Sequence, residues 1–214
     1  MIHLLQYLQN SYTATVDCQR EKFWGLTFNW KYHDEYVDMS MPGYVQKFLQ
    51  KFQHQPPKLP QFKPFAAAPY VKAINGQRIY RPKLDSSSLL PLPKLQGCNK
   101  LLAFLYYVIA INITLLSDLN RISVKHDAST KQTEYQCHRV LDYVATKPNV
   151  SLIFHKIYMV FTIDSYDAYL LKPLAHNRVA GYFQLNSNNK PSNFVTGEIL
   201  VECKTLRHDV ASSA

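Results

Sequence analysis

A chain of 214 residues with 47% hydrophobic and 13% aromatic side chains can bury a sizeable core, which excludes wholesale disorder and leaves room for one large domain or two small ones. Its 24 lysines and arginines against 15 acids give a net charge of +9, a balance that favours an anionic partner such as nucleic acid. The four cysteines, Cys18, Cys98, Cys137 and Cys203, are scattered without a C-x-x-C pair, so they read as reduced core residues rather than a zinc site. Met1-Ile2-His3-Leu4-Leu5 lacks the basic start and small-residue cleavage site of a signal peptide, and the expectation is an intracellular (cytoplasmic or nuclear) protein.

In chain order, residues 1–10 suit a short helix through Leu4, Leu5 and Leu8. Two strands follow at 22–30 and 34–40, joined by a polar turn around His33. Ser40 is a candidate helix cap and Pro42 suits a first helical turn. In the helix beyond, Tyr44, Val45, Phe48, Leu49 and Phe52 make the apolar face, and Lys47, Gln50 and Lys51 the polar one. Lys47 and Lys51 are candidates for contact with nucleic-acid phosphates, the plain alternative being a solvated helix face.

Composition changes over 54–97. Eight of the twelve prolines lie between Pro56 and Pro93, and Lys58, Lys63, Lys72, Arg78, Arg81 and Lys83 stand against the lone Asp85. Proline at that density opposes helix and central strand alike and predicts an extended, mobile linker, whose Arg78 and Arg81 join the basic candidates. Interleaved Phe62, Phe65, Tyr70 and Tyr80 either stack on bases or pin the linker to the domain surface.

Residues 101–116 form the most apolar window. It is shorter than a membrane helix and is interrupted by Asn112 and Thr114, so it predicts buried helices of a globular core and no membrane partner. A helix over 129–146 is marked by Cys137, Val140, Leu141 and Val144 and stopped by Lys147-Pro148; His138 beside Cys137 reads as a helix residue rather than a ligand. Strands at 151–155, 157–164, 178–185 and 197–206 are expected to form one antiparallel sheet, with residues 186–193 as an exposed loop. In F-T-I-D-S-Y-D-A-Y-L, residues 161–170, Asp164 and Asp167 sit where a metal-dependent hydrolase places carboxylates, at the end of an apolar strand; a solvated acidic turn is the plain alternative. Glu198 and Glu202 share the last strand, and their spacing does not place them at that site.

Several of these stretches share one resemblance. The run V-D-M-S-M-P-G-Y-V-Q-K-F-L-Q-K-F follows an aromatic strand containing Gly25, and its Ser40, Pro42, Tyr44 and Phe52 fall in a familiar order. Leu102, Tyr106 and Leu115 follow, then His138, Arg139, Val140, Leu141, Tyr143 and Pro148, then Ser165, Tyr169, Leu170, Arg178, Gly181, Tyr182 and Phe183. On these residues the chain resembles the reverse-transcriptase/RNase H region of copia-type retrotransposon polyproteins. The resemblance implies an α+β fold with four segments. Residues 1–55 would be the palm end and a thumb-like helix, and 56–96 the Pro-rich basic linker. Residues 97–148 would be connection helices, and 149–214 an incomplete RNase H-like domain with a truncated antiparallel sheet.

The parent activity implied is RNA-directed DNA synthesis with magnesium-dependent removal of RNA from the hybrid. Departures accompany the likeness. The family's metal-binding aspartate falls on Tyr166 unless a one-residue slip brings Asp167 into place. The polymerase Y-x-D-D motif would precede Met1, and a second RNase H carboxylate would follow Ala214. Two-metal cleavage needs several carboxylates around its cations. The expectation is a catalytically inactive fragment with no cofactor of its own. Alternatives are a basic, sequence-independent binder of RNA, DNA or RNA–DNA hybrid, and a host protein-interaction module using the thumb and connection surfaces.

Overall fold

The structure, a computed structural model, describes residues 2–13, 19, 21–65, 70–72, 78–80, 85–125, 127–168, 178–187 and 196–205. The fold is mixed α+β, with several helices, two larger antiparallel sheets of four and three strands, and a two-stranded one, among the described residues. After helix α1 (Ile2–Ser11) come strands β1 (Lys22–Phe23), β2 (Leu26–Lys31) and β3 (Tyr36–Ser40). The stretch expected as one strand over 22–30 is therefore two. Trp24 and Gly25 both have positive φ, 50° and 81°, which is the two-residue hairpin turn that matches strand twist. Helix α2 (Tyr44–Lys51) is capped by Gly43 at φ 74°, not by Ser40, which ends β3. Pro42-Gly43 forms the turn into the helix, closed by Tyr44 N–H donating to the Met41 carbonyl at 3.2 Å.

The segment expected as an extended linker is more ordered where it is described. Strands β4 (Tyr70–Lys72) and β5 (Arg78–Tyr80) form a two-stranded hairpin. Helix α3 (Leu92–Lys100) starts inside the proline-rich stretch, because Pro93 falls in the first turn, where a missing N–H costs nothing. The tolerance of proline at a helix start is what the composition argument overlooked.

The apolar window then breaks into a 3-10 turn (101–104), helix α4 (Leu105–Ala110), a second 3-10 turn (113–115) and helix α5 (Leu116–Ser123). The break falls at Ile111-Asn112, where φ reaches −133° and −132°. Among the described residues no helix is long and apolar enough to cross a membrane. Helix α6 (Lys131–Thr146) opens on a reciprocal cap in which the Thr130 and Thr133 side chains each accept from the other's backbone N–H.

These helices enclose the core. Leu101, Phe104, Val108, Leu115 and Val144 are fully buried with Val45 of α2. Phe104 is the hub: its ring lies 4.2 Å from Phe48 and 4.7 Å from Tyr107, and Tyr44 stacks 5.4 Å from Tyr107.

Strand β6 (Ser151–His155) pairs antiparallel with β3 and completes the first sheet, in the order β1-β2-β3-β6. It was expected in the second sheet. Residues 156–159, with Met159 in left-handed backbone at φ 59°, separate it from strand β7 (Val160–Ala168), and Lys156 N–H extends the β3 ladder by donating to the Glu35 carbonyl at 2.7 Å. The second sheet is β7-β8-β9, with β8 at Arg178–Asn186 and β9 at Glu198–Thr205. It docks on the helices through β9: Val201 and Cys203 pack on the core, and the Asn120 amide of α5 donates to the Cys203 carbonyl. Gly197 N–H donates to the Ile153 carbonyl at 2.9 Å, so the two sheets are stitched together just ahead of β9. A Cβ at Gly197 would lie 2.5 Å from the Phe154 ring, so any larger residue there requires that ring to shift.

Asp85 ties the proline-rich segment to the helices. Its carboxylate accepts from Lys125 Nζ (2.8 Å), the Ser87 hydroxyl (2.6 Å) and backbone N–H (3.1 Å), and the Thr130 hydroxyl (2.5 Å). Burial pushes the carboxyl up, but these donors outweigh it and hold the group well below the usual carboxylate range. A depressed folded-state value means that the stability it supplies is full above the unfolded value near 4 and is lost as pH falls below it. Asp85→Ala is expected to lower unfolding free energy by roughly 2 kcal/mol at neutral pH in urea titrations, with the gap from wild type closing under strongly acidic conditions. Phe104→Ala, which empties the aromatic hub, is expected to cost about 3–5 kcal/mol in the same assay at every pH.

Candidate functional site

The acidic run at 161–168 lies within β7, a strand nine residues long rather than a strand ending in a turn. Each residue of β7 faces one of β8, and Asp164 stands opposite Tyr182. Strands alternate faces, so positions 164 and 167, three residues apart, belong to opposite faces of the sheet. The backbone therefore does not bring the two predicted carboxylate positions together. Asp164 is exposed and accepts from Gln184 Nε2 at 3.3 Å.

The residue that joins Asp164 is one the sequence reading set aside. A register shift between Phe183 and Gln184 places Glu198 opposite Gln184, and the Tyr182 hydroxyl donates to Glu198 Oε2 at 3.3 Å. Glu198 is buried, at 9% exposure, and its Oε1 has no hydrogen-bond partner among the described residues. Even spacing along a strand would put Glu198 and Glu202 on one face. The bulge undoes that parity, and Glu202 instead pairs with Lys204 at 3.2 Å on the exposed side. No sequence pattern marks a bulge of this kind, so Glu198 could not be found from spacing.

Burial, with the negative charge of Glu198 and its hydrogen bond, and more weakly the charge of Asp164, pushes the Tyr182 phenol up to about 12. The site is therefore a protonated tyrosine bonded to the buried carboxylate of Glu198, with the exposed carboxylate of Asp164 on Gln184 beside it. Magnesium, which the resemblance implies for the parent family, does not fit it. Asp164 and Glu198 each already accept a side-chain donor, and among the described residues no three His, Cys, Asp or Glu side chains gather to hold a metal ion. Two-metal hydrolysis has no ligand set here.

The basic candidates lie elsewhere. Lys47 and Lys51 stand one turn apart on the exposed side of α2, opposite buried Val45 and Phe48, and neither pairs with an acid among the described residues. Arg78 opens β5 opposite Lys72 of β4, and Arg81 lies outside the described residues. Tyr70 and Tyr80 are register partners in that hairpin, while Phe65 carries the Arg121 guanidinium 4.8 Å above its ring, which fixes it against the helices. Phe62 stays exposed.

The aromatics that do form an open array are on the first sheet. Phe28 and Trp30 of β2 and Tyr32 just past its end stack with near-parallel rings 6.3 and 5.9 Å apart, and Tyr32 is 72% exposed. Alternation in F-N-W-K-Y was the signal for this ladder, and the sequence reading used it only to assign a strand.

Glu198→Gln removes the charge that opposes Tyr182 ionisation. In NMR titrations of ring-labelled tyrosine, Tyr182 and Tyr107 are both expected to titrate near 12 in the wild type, and Tyr182 alone is expected to move lower in the variant. Tyr182→Phe strips Glu198 of its donor and is expected to cost about 1–3 kcal/mol in chemical denaturation.

No family model matches the chain, and neither curated proteins nor solved structures give a match.

Proposed function

We propose that the chain is a reverse-transcriptase/RNase H remnant of the copia type that holds nucleic acid through its phosphates and does not cleave it. The observation that carries this reading is the pair Lys47 and Lys51: two exposed cations one helical turn apart, free of acidic partners among the described residues, on a helix whose other face is locked into the core. A rigid helix presenting unneutralised lysines suits a phosphate backbone, because contact releases counterions without first breaking an ion pair. The net charge of +9 adds a long-range attraction of the same sign. The ladder Phe28-Trp30-Tyr32 offers ring faces to unpaired bases, a contact that tolerates any sequence.

The order of elements agrees with the resemblance in outline. A strand pair leads into an amphipathic helix, helices follow, and an antiparallel sheet of three strands closes the described chain. On this reading the hydrolytic chemistry of the parent family is gone, since Asp164 and Asp167 occupy opposite faces of β7 and Glu198 is committed to Tyr182.

Two measurements test it. Fluorescence anisotropy with a labelled RNA–DNA hybrid should show sequence-independent binding that weakens steeply with added salt. The double variant K47E/K51E should bind roughly tenfold more weakly, while K147E changes little. Equal effects would remove α2 from the interface. The wild-type chain should leave the hybrid intact in magnesium and in manganese; metal-dependent cutting abolished by Asp164→Asn or Asp167→Asn would refute the non-catalytic reading.

A further inference from the structure

Two thiols meet where α3 packs on α6. Cys98 and Cys137 are both unbridged and both buried, at 6% and 7% exposure, and each thiol perturbs the other. Their approach is set by the helices rather than by a side-chain rotation. One turn earlier on each helix, Lys94 Nζ and Glu134 Oε1 bridge the same two elements at 2.9 Å. Cys98 follows Lys94 at i+4 and Cys137 follows Glu134 at i+3, the spacings that keep side chains on one helix face.

The two sulfurs are not equivalent. The neighbouring Cys137 thiol holds the Cys98 thiol below its ordinary value in spite of burial and the nearby Glu134 charge. The Cys98 thiol, together with burial, pushes Cys137 well up. A thiol with thiolate character is the one that reacts with oxidants, and its neighbour is placed to resolve the product.

We propose that Cys98 and Cys137 form a redox pair in which a hydroperoxide oxidises Cys98 to a sulfenic acid and Cys137 resolves it into a disulfide that ties α3 to α6. With hydrogen peroxide, the Cys98 sulfur attacks one peroxide oxygen and the O–O bond breaks. The displaced hydroxide takes the thiol proton and leaves as water. Cys137 then attacks the Cys98 sulfur, the S–O bond breaks, and hydroxide leaves with the Cys137 proton as a second water. Two thiols give up two electrons and two protons to one peroxide. The closed ring spans residues 98–137 and so encircles α4 and α5, which carry much of the core. Burial makes the reaction slow and selective, since the oxidant reaches the pair only when the short helix α3 loosens.

The test uses the full chain with the other two cysteines replaced, C18S/C203S, exposed to stoichiometric hydrogen peroxide under native conditions. Peptide mapping should find one intramolecular disulfide joining Cys98 and Cys137, and the melting temperature should rise by roughly 5–10 °C, reversed by reductant. With C137S added, a sulfenic-acid trap should mark Cys98; with C98S added instead, Cys137 should be marked roughly tenfold more slowly. The wild-type chain mapped in parallel guards against a folding defect in the variants. A disulfide that forms only after unfolding in urea, or equal trapping of the two sulfurs, would overturn the proposal.

Discussion

The rings around Phe104 are the contact on which the rest of the molecule depends. The first sheet meets the helices through α2 and its flanks: Leu26, Met39 and Met41 reach the core beside Val45 and Phe48, and Phe48 lies against Phe104 at 4.2 Å. The second sheet reaches the same core through Val201 and Cys203, with Cys203 bonded to Asn120 of α5. Burying several aromatic side chains in one cluster supplies apolar area at about 25 cal/mol per Å² plus favourable ring geometry. Short helices such as α4, six residues long, would not persist without it. The half-exposed Leu105, Tyr106 and Ile109 show the other side of this arrangement: α4 spends its inner face on the hub and leaves apolar side chains in water.

How far the sequence can be read depends on whether the signal is local. Helices α2 and α6 were legible because their apolar residues recur at helical spacing over a full face, and α6 also carries its own stop at Lys147-Pro148. Strands β3, β7, β8 and β9 were legible from alternation. The partner of β6 was not. Alternation says that a strand has two faces and is silent on which edge it joins, and β6 joins β3 rather than its neighbour in sequence. The hairpin at Trp24-Gly25 was missed because tryptophan is an unusual occupant of left-handed backbone, though Gly25 was a signal for it. Asp85 looked like the odd acid in a basic linker. Its role emerges only when Lys125 and Thr130, distant in sequence, close around it.

At the candidate site the grouping of the acids is not legible in the sequence. Asp164 and Asp167 lie on opposite faces of β7, and the acid that the ladder brings opposite Gln184, the partner of Asp164, is Glu198. Parity along β7 separates the expected pair, and one bulged residue in β9 assembles another. A single insertion in a ladder thus decides which acids share a face, which is why a list of acids along a strand is a poor guide to a metal site.

The pairing of β3 with β6 joins strands more than a hundred residues apart, with all of α2 to α6 between them. Contacts that distant are slow to form, because the loop they close must be ordered before the contact repays it. During synthesis on the ribosome β3 therefore emerges with one edge unpaired and stays so until residues 151–155 follow. That edge carries Tyr36, Val37 and Met39, apolar side chains on a template that other strands can join. The same register that joins these two distant strands in the finished chain makes the half-made chain prone to sticking to its neighbours.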